Sequence, residues 1–133
     1  MTREKIQRTD DEWRALLTTE QFRVLRRAGT EPAFSGALTD MEEPGIYVCS
    51  GCGSTLFSSE TKFHSGCGWP SFFAPIAEDA VREYSDDAFG MHRVEVRCAV
   101  CDGHLGHVFT DGPKPTGLRY CINSVSIEFK PEA

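Results

Sequence analysis

The 133-residue sequence predicts an antiparallel β core beneath an N-terminal helical cover, and three observations point there. Helix-capping signals and helical spacing of apolar residues mark the first third of the chain. From Pro44 onward the chain breaks into short β-favouring segments separated by Gly, Pro, Asp and Ser. Between His92 and Cys98, Val94 and Val96 alternate with Arg93, Glu95 and Arg97, the pattern of a strand with one wet face.

The elements follow in order. Thr9 and, three residues on, Glu12 form a capping-box pattern, after which Trp13, Leu16 and Leu17 fall at helical spacing. A second short helix is expected from about Glu20 to Arg27, with Phe22, Val24 and Leu25 inside it. Arg26 and Arg27 stand near its negative end, and Gly29 closes it. Strands are expected at Ile46–Val48, Val81–Tyr84, His92–Cys98, His107–Phe109 and Leu118–Phe129. The chain reads as one domain, 1–133, with the helical cover at about 9–29 and the β core at about 45–130.

Composition narrows the function classes. A net charge of -6 and a pI near 5.2 argue against a nucleic-acid module, which carries a basic stripe. The charged stretch MTREKIQR has no apolar run behind it, and no segment is long and apolar enough to span a membrane, so a cytoplasmic location is expected. In that reducing setting six cysteines point to metal ligands or redox groups rather than structural disulfides.

Four of the six form two CxxC pairs, Cys49/Cys52 in CSGCG and Cys98/Cys101 in CAVCDG. Two thiolates two residues apart reach one ion from a tight turn, and nearby glycine lets backbone amides face the sulfurs. Two such turns complete a tetrahedral four-thiolate zinc site that leaves no position for a substrate water, which makes the zinc structural. His104, just beyond Cys101, is the one alternative ligand.

The stretch RYCINSVSIEF, Arg119–Phe129, reads as a strand in which 119, 121, 123, 125, 127 and 129 share a face. Val125, Ile127 and Phe129 make that face apolar; Asn123, Cys121 and Arg119 continue it with polar and reactive groups. A guanidinium beside a thiol favours the thiolate and lowers a pKa of about 8.5 in free cysteine, which makes Cys121 a candidate nucleophile. The competing reading is a small buried cysteine of no chemical consequence. Cys67 lies in the glycine-rich loop SGCGWPSF, open to attack, with Trp69 next to it as core or lid aromatic or as wall of an apolar subsite. HLGHVFTDG brings His104, His107 and Asp111, an acid/base set if the turns at Gly103 and Gly106 let both imidazoles converge.

The segments GCGWPSF (66–72), HLGHVFTDGP (104–113) and GLRYCINSVSIEF (117–129), with CxxC pairs in the correct order around them, resemble the B-type methionine sulfoxide reductases, which reduce methionine-R-sulfoxide. The similarity runs over roughly residues 9–130. It implies two antiparallel sheets rolled into a small barrel-like core, with zinc on the side away from the active site. It also implies that Cys121 is the attacking cysteine and Cys67 the resolving one, and that His104, His107, Asp111, Arg119 and Asn123 line the polar site. Trp69 would receive the substrate methyl group. The chemistry so implied runs from attack on the sulfoxide, with a histidine as proton donor, through a Cys121 sulfenic acid to a Cys67–Cys121 disulfide. Thioredoxin, or a similar external dithiol, would restore both thiols, and the protein is expected to act as a monomer in repair of oxidative damage. Two rival classes are a zinc-bearing binding module with inert Cys67 and Cys121, and a general disulfide oxidoreductase, which would need a CxxC pair free of metal.

Overall fold

A computed structural model describes residues 3–87 and 90–132, so the first two residues of the charged MTREKIQR stretch lie outside it. Among the described residues two α-helices come first, α1 (Asp10–Leu16) and α2 (Thr19–Arg27), and nine strands follow. They are β1 (Gly45–Cys49), β2 (Thr55–Ser58), β3 (Lys62–Phe63), β4 (Ser71–Phe72), β5 (Val81–Asp86), β6 (Arg93–Cys98), β7 (His104–Phe109), β8 (Arg119–Ile122) and β9 (Ile127–Pro131). All pairings are antiparallel and build two sheets, β2-β1-β9 and β3-β4-β8-β7-β6-β5. Among the described residues the two sheets are not hydrogen-bonded into a closed barrel. Between them and the helices lies one apolar cluster that includes Trp13, Tyr47, Phe57, Phe72, Leu105, Tyr120 and Ile122. No described helix is long and apolar enough to cross a membrane.

The capping box at Thr9 forms as expected: Glu12 N–H donates to the Thr9 hydroxyl, and Thr9 N–H to the Glu12 carboxylate. A second box, Thr18 with Gln21, sets the start of α2. Trp13 and Leu17 are buried, whereas Leu16 is 60% exposed, because Leu17 already lies in extended backbone past the helix end. At the end of α2 it is Ala28, not Gly29, that takes the left-handed conformation, with φ of 54°. Gly29 is needed for closeness instead: a Cβ there would lie 2.9 Å from the Arg23 carbonyl oxygen.

Three strand expectations need correction. The 119–129 run is two strands in two sheets: β8 stops at Ile122, a 3-10 turn at Ser124–Ser126 intervenes, and β9 pairs with β1. Distant partners impose the break, since Ser126 Oγ donates to the His104 carbonyl and Val125 N–H donates to the Glu31 carboxylate. Arg119 and Cys121 therefore keep a common face, but Val125, Ile127 and Phe129 do not extend it. Secondly, Glu95 does not face water; it is 8% exposed and lies between Arg97 and His104. Thirdly, His104 belongs to β7, whose register against β6 slips between Val96 and Arg97: Val96 faces Gly106 while Arg97 faces His104. This bulge, with Leu105 as the extra residue, undoes the alternation that would send His104 and His107 to opposite faces. Their ring centroids lie 5.6 Å apart.

Candidate active site and metal cluster

Register positions the candidate site. Across the six-stranded sheet Ser71 faces Cys121, Cys121 faces His107, and His107 faces Glu95. Directly opposed residues in antiparallel strands project to the same side, so these four share one row. The neighbouring row, Phe72–Tyr120–Val108, consists of buried side chains. The site thus sits on the reverse of the core. Gly106 in β7 permits the tight pairing there, since a Cβ would lie 1.9 Å from the Cys121 carbonyl oxygen.

Cys67 arrives from the loop and places its Sγ 2.9 Å from Cys121 Sγ, both cysteines being free. Ser65 Oγ donates to Cys67 Sγ at 2.9 Å, and Ser71 Oγ lies 3.4 Å from it. On the other side Arg119 Nη1 donates to Cys121 Sγ at 2.8 Å. Asp111 holds the same guanidinium from Nε (2.8 Å) and Nη2 (3.1 Å), and the cation lies over the Phe109 ring at 4.5 Å.

Two sulfurs this close share one negative charge. Burial would raise the Cys67 thiol, but hydrogen bonds from Cys121, Ser65 and Ser71 outweigh it and bring Cys67 down to about 7. Cys121 is pushed up to about 12 by burial and by the neighbouring Cys67, with Arg119 pulling the other way. The lowered Cys121 pKa expected from Arg119 alone is therefore not found: burial and the adjacent Cys67 outweigh the guanidinium, and the surroundings favour the charge on Cys67.

A cavity of about 320 Å³ opens over this pair. Thr30, Trp69, Arg93, His107, Phe109 and Asn123 line it together with both cysteines. Trp69 is pinned by its indole N–H, which donates to the Glu31 backbone oxygen at 2.9 Å. Glu31 N–H donates in turn to Asn123 Oδ1 at 3.0 Å, and Asn123 Nδ2 donates to the Leu105 carbonyl at 2.9 Å. His107 Nε2 bonds Asp86 at 2.7 Å, and Arg93 reaches the same carboxylate at 3.3 Å. His104 lies deeper and does not line the cavity; its Nδ1 bonds Glu95 at 2.7 Å, and burial lowers its pKa despite that carboxylate. Glu95 is held below the usual carboxylate range: burial raises it, but Arg97 and His104 together lower it further.

All the catalytic and substrate-binding residues named from sequence except His104 and Asp111 meet at this cavity, and those two stand one contact away, through His107 and Arg119. Ser65, Ser71, Glu31, Asp86 and Glu95 were missed. Ser65 and Ser71 flank the Cys67 loop and could have been suspected as thiol donors; for the three carboxylates no local signal exists.

The remaining four sulfurs converge elsewhere. Those of Cys49, Cys52, Cys98 and Cys101 all lie within 4.8 Å of one another, with Cys49–Cys101 and Cys52–Cys98 at 3.6 Å. The two turns repeat one geometry: Gly53 N–H donates to the Cys49 carbonyl and Asp102 N–H to that of Cys98, both at 2.9 Å, with positive φ at Gly53 (78°) and Asp102 (63°). An ion about 2.3 Å from four tetrahedral sulfurs would hold them about 3.8 Å apart, close to what is seen. Cys49 is pushed well above the ordinary thiol value, first by its hydrogen bonding with Cys101 and then by the other two sulfurs and burial. The set is therefore suited to a metal cation, which alone would let four such thiolates coexist.

Comparison with known proteins shows the family of the chain. Residues 17–131 match the family model described as SelR domain. The chain is 58% identical over 127 residues to the peptide methionine sulfoxide reductase MsrB of Pseudomonas aeruginosa, covering 96% of each chain. It is 53% identical over 128 residues to the MsrB of Leptospira interrogans, covering 96% of this chain and 98% of that one. With the MsrB of the archaeon Methanosarcina mazei it shares 54% identity over 132 residues, 99% of this chain and 94% of that one. Full-length agreement at this level places the chain in a family, and that family is the SelR-domain peptide methionine sulfoxide reductases of the B type.

Proposed function

We propose that the protein reduces methionine-R-sulfoxide through a two-cysteine cycle, with Cys121 as nucleophile and Cys67 as resolving thiol. The observation that carries this reading is the 2.9 Å approach of Cys67 Sγ and Cys121 Sγ at the floor of a cavity walled by Trp69 and His107. The names of the relatives supply the substrate class.

At rest the shared charge sits on Cys67. When substrate enters, Cys67 takes the Cys121 proton and Arg119, 2.8 Å from Cys121 Sγ, stabilises the new thiolate. That thiolate attacks the sulfoxide sulfur. His107 supplies the proton that turns the oxygen into a leaving hydroxyl; its Nε2 is committed to Asp86, which leaves Nδ1 as the donor. The departing hydroxide adds to Cys121 Sγ as the bond between Sγ and the substrate sulfur breaks, its electron pair leaving with methionine, and Cys121 is left as a sulfenic acid. Cys67 then attacks Cys121 Sγ, water leaves, and the pair becomes a disulfide that an external dithiol such as thioredoxin reduces by exchange. Trp69, held by Glu31, presents an apolar wall for the substrate methyl group, while Asn123 and Asp111 fix the wall and the guanidinium. His104 supports His107 from beneath rather than facing substrate.

The four-cysteine cluster is read as a structural zinc site, because four soft thiolates in a closed tetrahedral set suit that ion and leave no open position. A cytoplasmic location fits the cysteine usage.

Mass measurement after one turnover with each sulfoxide epimer tests the cycle. The R epimer is expected to remove two hydrogens and yield a peptide pair joining 67 to 121, and the S epimer to do neither. Cys67→Ser should retain one stoichiometric turnover but lose dithiol-driven cycling; normal cycling of that variant would overturn the resolving role.

A further inference from the structure

Phe34 is the most conspicuous exposed residue of the molecule. It is 73% exposed, the highest among the large exposed hydrophobics of the described residues, and its φ of 66° lies in the left-handed region that a bulky side chain disfavours. Neither feature helps folding. An aromatic ring in water offers no burial, and glycine or asparagine would hold this backbone without strain.

The conformation is imposed by the active-site loop. Phe34 N–H donates at 2.7 Å to the carbonyl of Gly68, the residue between Cys67 and Trp69. The ring lies along Gly68, where an added Cβ would meet Phe34 Cδ2 and Cε2 at 3.0 Å and Ala33 Cβ at 2.7 Å. Ser35 closes the turn by donating to the Pro32 carbonyl from both N–H (3.2 Å) and Oγ (2.6 Å). The same segment supplies Thr30 to the cavity wall and the Glu31 carbonyl to Trp69. Residues 30–34 thus lead from the cavity wall at Thr30 to Phe34, which does not itself line the cavity but lies against Gly68, between the cavity-lining Cys67 and Trp69.

The cavity itself, about 320 Å³, accommodates a thioether side chain but not the polypeptide that bears it. A methionine sulfoxide inside it leaves its main chain and neighbours at the rim. We propose that Phe34 is a specificity-determining residue: its ring is a docking contact for the polypeptide flanking an oxidised methionine, and it contributes to peptide binding but not to the chemical step. This rests on the function proposed above and assigns to that site a contact outside the cavity.

The test compares steady-state and single-turnover reduction of free L-methionine-R-sulfoxide with that of an R-sulfoxide peptide bearing apolar neighbours, in the full-length protein. Phe34→Gly and Phe34→Asn both suit the positive φ and remove the ring. The expected result is a KM for the peptide raised roughly tenfold, about what losing a half-buried aromatic contact removes. Peptide kcat, the single-turnover rate at saturation and all constants for the free amino acid are expected to stay unchanged. Phe34→Tyr, which keeps the ring, is expected to retain the wild-type KM. Equal losses on both substrates, or no loss on the peptide, overturns the proposal while the reductase reading stands. A wild-type protein that reduces neither substrate overturns the function first and the inference with it.

Discussion

The molecule carries two groups of cysteines, and they solve the problem of a buried thiolate in opposite ways. In the Cys49/Cys52/Cys98/Cys101 cluster the sulfurs face mainly one another, with Gly51 N–H reaching Cys49 Sγ at 3.3 Å. In the Cys67/Cys121 pair the charge is met by hydroxyls, a second thiol and a guanidinium, and one side stays open to a cavity. Four sulfurs that receive no hydrogen bond from a cationic side chain among the described residues call for a metal and then have no face left to react. Two sulfurs balanced by hydrogen-bond donors keep a reactive face. Reactivity here follows from what compensates the charge rather than from the thiol itself.

Breaking the closed cluster should have the largest effect. Cys98→Ala is expected to lose metal and fold together, with Tm lower by more than about 10 °C, because binding energy and folding energy are the same quantity in such a site. Metal content beside a thermal melt reads this out, and a well-folded metal-free variant would abolish the distinction. On the open pair, Cys121→Ser is expected to cut reduction by more than about 10³-fold while metal content and Tm hold, the size of effect seen when a nucleophile is removed. Arg119→Met should lower kcat by about 10²-fold, as for loss of one charge-stabilising donor, again with metal retained.

A milder probe is alkylation of the reduced, metal-loaded protein by iodoacetamide across pH. The resting thiolate forms as pH rises through the Cys67 value of about 7, so labelling of the pair should be slow below that pH and level off above it, while the cluster stays unlabelled. A midpoint near the ordinary 8.5 would show that Ser65, Ser71 and Cys121 do not lower Cys67. The smallest change is expected from Glu95→Gln, beneath the pair. Glu95 titrates lower when folded, through Arg97 and His104, so its carboxylate stabilises the protein above its unfolded pKa and ceases to as pH falls through the folded value. Urea melts should find the variant less stable by about 1–2 kcal/mol at pH 7, with the gap beginning to narrow below the unfolded carboxylate value and closing only once pH has fallen below the lowered folded one. A gap that stays constant with pH would contradict the charged assignment.

Much of this was legible in the sequence where the relevant interactions are local. Capping at Thr9 involves residues three apart, and each CxxC turn closes within five residues, so both formed as read. Errors arose where distant partners overrode local alternation. Val125 and Ser126 leave the β8 line because Glu31 and the His104 carbonyl claim them. Glu95 is buried because a bulge around Leu105 brings His104 to it.

Spacing along the chain already separates two kinds of cysteine: two residues apart with a tight turn suits a pair of ligands, while isolated cysteines among glycine, arginine and histidine are candidates for chemistry. Tertiary structure alone decided that Cys67 and Cys121, 54 positions apart, stand 2.9 Å from each other in a row with Ser71, His107 and Glu95. The physical reason is register. Which residues face one another across strands depends on how the whole sheet pairs and where it bulges, and no short stretch of chain carries that information.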